Sequence, residues 1–132
     1  MDENRLKALP LFEALSKQER KKVAHWADEV DISEGRHLAD EGDFSYEFFV
    51  IESGSAEVLR DGKHIADLGP GDFVGEMGLM AHAPRNATVV AKSPIEAVVM
   101  TGRDFREMAQ EMPEVAAKIQ AAIEERSRAL VG

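Results

Sequence analysis

Residues 71–89 read GDFVGEMGLMAHAPRNATV, and this stretch decides how the rest of the chain is read. A Gly-Asp turn leads into Phe73 and Val74. A Gly-Glu pair follows, then a short apolar turn, Pro84-Arg85 and a β-branched run. The Glu76 carboxylate can accept hydrogen bonds from hydroxyls. Arg85 can hold one phosphate with a planar, permanently charged fork. Backbone amides from Gly75 to Gly78, at the start of a short helical turn, can face the same anion. A carboxylate for a sugar, a guanidinium for a phosphate and a helix N-terminus between them describe a small nucleotide pocket. Gly69, Gly71, Gly75 and Gly78 do not form GxGxxG, and no Walker lysine follows, so a dinucleotide or triphosphate loop is not expected.

Working outward, turn signals recur at Ser33-Glu34-Gly35, Glu41-Gly42-Asp43, Ser53-Gly54, Asp61-Gly62 and Gly69-Pro70-Gly71-Asp72. Apolar or alternating pieces lie between them at 48–51, 56–59, 86–91 and 97–100. Asp61-Gly62 is a two-residue hairpin turn, because Gly tolerates positive φ. Many short strands at this spacing predict a β-sandwich or jelly roll. Upstream, Leu9, Leu11, Phe12 and Leu15 form an apolar lead-in. Ser16-Lys17-Gln18-Glu19 is a capping box that predicts a helix from Lys17 to about Asp28, burying Val23, Ala24 and Ala27. Trp26, the single tryptophan, reads as a packing anchor between helix and roll. Downstream, Thr101 to Asp104 opens a helix carrying Phe105, Met108, Ala109 and Met112, and Pro113 opens a second. That helix aligns Val115, Ala116, Ile119, Ala122, Ile123 and Leu130 on one stripe, which Arg126 interrupts.

Composition narrows the function classes. A chain of 132 residues has room for one domain with a core. The N-terminus has no signal-peptide pattern and no apolar run reaches membrane-spanning length, so a membrane is not an expected partner. The absence of cysteine excludes thiolate metal sites and suits the cytoplasm. With a net charge of −9 and no helix-turn-helix in this sequence, nucleic acid is not an expected partner either. Arg20-Lys21-Lys22 reads as a solvated helix face. An anionic ligand must then be captured locally, by Arg85 and oriented dipoles, against an unfavourable long-range field. His25, His37, His64 and His82 lack the spacing of a cupin-type metal site, so no metal is expected. No local arrangement supports nucleophilic or acid–base catalysis, and the chain reads as a non-enzyme.

Phe73-Val74-Gly75-Glu76-Met77-Gly78-Leu79, followed by Pro84-Arg85-Asn86-Ala87-Thr88-Val89, resembles the phosphate-binding cassette of cyclic nucleotide-binding domains. The resemblance runs from about Leu9 to the C-terminal helix. It implies an α+β, mainly β fold: an eight-stranded jelly roll flanked by an N-terminal helix and two C-terminal helices. The whole of 1–132 would be one domain, with a helical lead-in over 1–28, the roll over 29–101, the cassette over 71–89 and helices over 102–131. By the same resemblance, Glu76 would hold the ribose 2′-hydroxyl. Arg85 and the Gly78 amide would hold the cyclic phosphate, Met77 would lie between these groups, and Gly75 would let the backbone approach the sugar. Val58, Ile65 and Leu68, with Val74, would form an apolar wall under the base. They are equally ordinary core residues. Asn86 stands where the family usually has Ala, Thr or Ser. The lack of a hydroxyl there favours cAMP over cGMP as the ligand, while Asn can still donate and accept. The C-terminal helix, which often supplies a lid over the base in this family, offers Ile119, Ile123 and Arg126 but no aromatic residue, so capping by this chain would be aliphatic, by Arg126 stacking on the base, or absent. The implied function is a non-catalytic, cytoplasmic sensor that repositions its C-terminal helix towards an output protein or a second copy. The alternative is a degenerate roll that docks or dimerises through the C-terminal stripe without binding nucleotide.

Overall fold

A computed structural model describes residues 1–43, 47–75 and 87–131, with side chains to residue 125. Helix α1 (Glu3–Lys7) is capped by Asp2, whose side chain accepts from the Asn4 amide. A 3-10 turn (Pro10–Phe12) carries it into α2 (Lys17–Val23). The capping box of α2 forms as expected: Ser16 accepts from the Glu19 amide, and Glu19 accepts from the Ser16 amide. The helix stops at Val23, short of the predicted Asp28. The His25 amide donates to the Lys22 carbonyl and the Trp26 amide to the Val23 carbonyl, a tightened last turn. Strand pairing then captures the chain from Asp28 onward. Val23, Ala24 and Ala27 are buried as predicted, and partly buried Trp26 packs on the same core.

Eight strands follow among the described residues: β1 (Asp28–Ile32), β2 (His37–Ala39), β3 (Glu47–Ser53), β4 (Ala56–Arg60), β5 (Lys63–Leu68), β6 (Phe73–Val74), β7 (Thr88–Ala91) and β8 (Ile95–Thr101). They form two antiparallel four-stranded sheets, ordered β1-β8-β3-β6 and β2-β7-β4-β5. This is the eight-stranded roll, with the helices flanking it. The β4–β5 turn is the predicted one: Asp61 and Gly62 both have positive φ, at 53° and 75°, and Arg60 pairs with Lys63. Thr101 and Asp104 then cap each other reciprocally and open α3 (Gly102–Glu111), and Pro113 opens α4 (Pro113–Val131). Among the described residues no helix is long and apolar enough to cross a membrane.

The first sheet separates two apolar cores, because alternate residues of a strand face opposite sides. Phe48, Val50, Val98, Met100 and Phe73 pack against the helices. Phe49, Ile51, Ala97, Ile95 and Val74 pack inside the roll. The helical core takes in Leu6, Leu11, Phe12, Phe105 and Met108, together with Val115, Ala116, Ile119 and Ile123 of α4. Each fully buried Leu, Ile or Phe there contributes about 1.5–3 kcal/mol. The apolar stripe of α4 is therefore covered from within the chain as far as Ile123.

Charged side chains join these layers. Of the expected solvated run Arg20-Lys21-Lys22, only Lys21 and Lys22 are exposed. Arg20 Nε donates to Glu3 Oε2 at 3.1 Å and Nη1 to the Leu15 carbonyl at 2.6 Å, tying α2 to α1. Arg5 of α1 faces three carboxylates of the first sheet: Glu29, Glu52 at 3.5 Å and Glu96 at 3.6 Å.

Candidate functional site

The turn Gly69-Pro70-Gly71-Asp72 is the anchor on which the cassette begins. Asp72 accepts from the Gly69 amide through its side chain at 2.8 Å, and its own amide donates back to the Gly69 carbonyl at 3.0 Å. Gly71, with φ of 90°, donates to the Ile51 carbonyl at 2.7 Å, and the Ile51 amide donates to the Asp72 carbonyl. The turn is thus bolted to β3. It delivers β6, where Phe73 faces the helical core and Val74 the roll interior. Gly75 comes next, buried and with φ of 92°, a backbone state in which a Cβ would be strained. Glu76, Met77, Gly78, Arg85 and Asn86, and His82 with them, lie outside the described residues.

The chain re-enters the structure at buried Ala87 and the strand β7. Within the second sheet, Val89 lies opposite Val58, and Thr88 opposite Leu59. Three of the predicted wall residues are brought together: Leu68 and Val74 are buried in the roll interior, and half-buried Val58 packs against the same cluster as Val89. Ile65 stands apart from them. Val58 pairs with Ala66 and Leu59 with His64, which leaves Ile65 as the extra residue of a β-bulge. It is 47% exposed, the only large apolar side chain so exposed among the described residues. A bulge of this kind re-aims side chains and cannot be read from composition alone.

The candidate lid residues are elsewhere. Ile119 and Ile123 are buried in the helical core, on the other side of the first sheet from the roll interior. The side chain of Arg126 lies outside the described ones.

One connection escaped the sequence reading. The Glu41 amide donates to Thr88 Oγ1 at 3.0 Å, and Glu41 Oε1 accepts from the Asp61 amide at 3.1 Å. These bonds span 47 and 20 residues, so no local pattern signals them.

The electrostatics are mostly acidic. Burial pushes the Glu52 carboxyl up from its ordinary value; Arg5 opposes the rise, while Glu96 and Asp31 add to it. Glu52 Oε1 is buried without a hydrogen-bond partner among the described residues. Among those residues, no three acidic or histidine side chains gather as metal ligands would.

The profile of the family described as the cyclic nucleotide-binding domain matches residues 29–112, which contain every strand apart from Asp28 of β1, and the whole of the 71–89 motif. The chain belongs to the cyclic nucleotide-binding domain family. It is 36% identical over 95 residues to a cAMP-dependent protein kinase regulatory subunit of Schizosaccharomyces pombe, an alignment covering 71% of this chain and 23% of that protein. The chain spans only about a quarter of the length of the curated relatives it matches. Among solved structures, it is similar to the N-terminal domain of a transcriptional regulator from Streptomyces coelicolor, at a TM-score of 0.79, 29% identity and coverage of 94% and 90% of the two chains. It is also similar to the Thermus thermophilus catabolite activator protein, at a TM-score of 0.77, 27% identity and coverage of 90% and 58%. Membership of the cyclic nucleotide-binding domain family accounts for the roll and its flanking helices.

Proposed function

We propose that this chain is a single, non-catalytic sensor domain that binds a cyclic nucleotide monophosphate, with cAMP preferred over cGMP. Glu76 takes the ribose 2′-hydroxyl, and Arg85 takes the phosphate together with the Gly78 amide. Gly75 and Met77 shape the cassette, and Asn86 sits at its exit. Val58, Leu68 and Val74 form the apolar wall, with Ile65 at its exposed edge. The observation that carries this reading is that one family match, over 29–112, spans both halves of the motif. On either side of those residues the chain is held by strand pairing, at β6 and at β7.

Ligand capture would be read out through the bend between α3 and α4. Its energy must come from a difference in affinity between two positions of α4. An output protein or a second copy would recognise that difference. The rival reading, a docking module without ligand, needs a free apolar stripe on α4. Val115, Ala116, Ile119 and Ile123 are instead buried within the chain, which favours the sensor.

The test is titration calorimetry with cAMP, cGMP and 5′-AMP, paired with thermal melting. At about 100 times the dissociation constant, linkage contributes about 2.7 kcal/mol. That should raise the melting midpoint by about 5 °C. Absence of heat and of any melting shift with millimolar cAMP and cGMP would sink the proposal.

A further inference from the structure

We propose that Glu41 is a positioning residue for the nucleotide pocket, holding the base-wall hairpin in register with the phosphate cassette; this rests on the nucleotide-binding reading above. Its main-chain amide is bonded to Thr88 Oγ1, at the start of β7 and three residues after Arg85. Its carboxylate is bonded to the Asp61 amide, at the tip of the hairpin whose strands carry Val58 and Ile65. One residue therefore joins the two parts of the chain that must close on opposite ends of one ligand.

The loop that presents Glu41 is itself held. A register shift in β2, between His37 and Ala39, leaves Leu38 as an extra residue and bends the strand end. The Asp43 amide donates to the Asp40 carbonyl at 3.1 Å, and His37 Nδ1 lies 2.6 Å from Asp40 Oδ1. At the other end of the bridge, Asp61 adopts a φ of 53°, a left-handed state that Asp tolerates better than most residues other than glycine. An acceptor placed on that amide favours the turn conformation. Preorganisation of this kind raises affinity by lowering the ordering cost of binding, and it acts mainly on the off-rate.

Charge and position predict opposite outcomes. A carboxylate near an anionic ligand repels it, so by Coulomb's law alone its removal should tighten binding. If Glu41 instead acts as a bridge, Glu41→Ala should weaken binding, while Glu41→Gln, which keeps the acceptor, should not.

The experiment measures cAMP affinity and off-rate for the full chain, with the ligand-free melting midpoint and exchange of the Asp61 amide recorded alongside. Glu41→Ala is expected to weaken cAMP about three- to tenfold, the equivalent of one net hydrogen bond, mostly through the off-rate. It should speed Asp61 amide exchange in the ligand-free protein. Glu41→Gln should stay within about twofold of the parent on both measures. Thr88→Val keeps the shape, removes the other partner and should weaken cAMP similarly. Unchanged or tighter binding by Glu41→Ala, or equal losses for Ala and Gln, would overturn the bridge while leaving the sensor reading intact. A Glu41→Ala protein that melts lower yet binds with parental affinity would make Glu41 a stability residue only. A parent chain that binds neither cAMP nor cGMP would overturn both readings together.

Discussion

Lys118 Nζ on α4 lies 3.0 Å and 3.2 Å from the two carboxylate oxygens of Glu19 on α2. The same carboxylate closes the capping box of α2, so one side chain both starts a helix and holds the first turns of α4 against it. The pair is partly exposed, and pairs of that kind contribute at most about 1 kcal/mol. Lys118→Ala should therefore lower stability only slightly. If ligand binding moves α4 away from α2, the same change should tighten cAMP, by no more than about fivefold. Unchanged cAMP binding by the variant would mean that the ligand-bound state keeps this contact, and weaker binding that it strengthens it.

The pH response of that contact has a definite sign. The Ser16 amide bond, then Lys118, lowers the Glu19 pKa. A lowered carboxylate contributes stability that is present above its unfolded value and is lost as pH falls through the folded one. Removing Lys118 should make acid destabilisation less steep in that window. Parallel urea-stability profiles for parent and Lys118→Ala would contradict this.

Glu52 should behave in the opposite sense. Its pKa is raised, so it favours the folded state less as pH climbs from the unfolded value through the folded value. Glu52→Gln should raise the melting midpoint at neutral pH, and the gain should fade in mild acid. Arg5→Ala should cost about 1–2 kcal/mol, because it takes the cation away from a partly buried carboxylate. A neutral-pH loss on Glu52→Gln as large as that for Arg5→Ala would show that the pair attracts more than burial costs.

Arg85 gives the most direct probe of the cassette. Lys keeps the charge but not the bidentate fork, and Ala removes both. The expected order of cAMP affinity is Arg, then Lys, then Ala, with Ala lower by about thirtyfold or more, within the roughly 2–5 kcal/mol of a broken charge pair. The ligand-free melting midpoint should hold in both. Parental binding by Arg85→Ala would remove the residue from the site, and an unfolded variant would make it structural.

Gly54 tests the scaffold alone. It has φ of 95°, and a Cβ there would meet the Pro94 carbonyl oxygen at 2.3 Å, closer than atoms approach. Gly54→Ala should cost at least ~2 kcal/mol, measured by urea unfolding. A change under ~0.5 kcal/mol would show that the β3–β4 turn relaxes freely.

What the sequence revealed was mostly local. Ser16 with Glu19, and Thr101 with Asp104, are three residues apart, and each pair forms its reciprocal cap. Asp61-Gly62 carries its own turn geometry, and Gly-Pro-Gly-Asp is the turn it was read as. The end of α2 is not legible locally, because pairing of Asp28 with Val99, 71 positions further along the chain, overrides helical propensity. Arg20 was misjudged because its partner Glu3 lies on another helix. Ile65 joins the wall only by the family resemblance, and nothing in Lys63 to Leu68 announces the bulge that exposes it. Glu41 was passed over because both of its partners are distant in sequence.

The position of β8 has a consequence for how such a molecule transmits strain. It is hydrogen-bonded to β1 on one edge and β3 on the other, and Ala97 and Val98 are almost wholly buried on opposite faces. Ala97 belongs to the roll interior and Val98 to the helical layer, yet one peptide bond separates them. A close-packed wall one residue thick cannot absorb a displacement on one side without passing it to the other. Communication between roll and helices then needs no long relay of side chains: the distance a signal must cross is a single peptide unit.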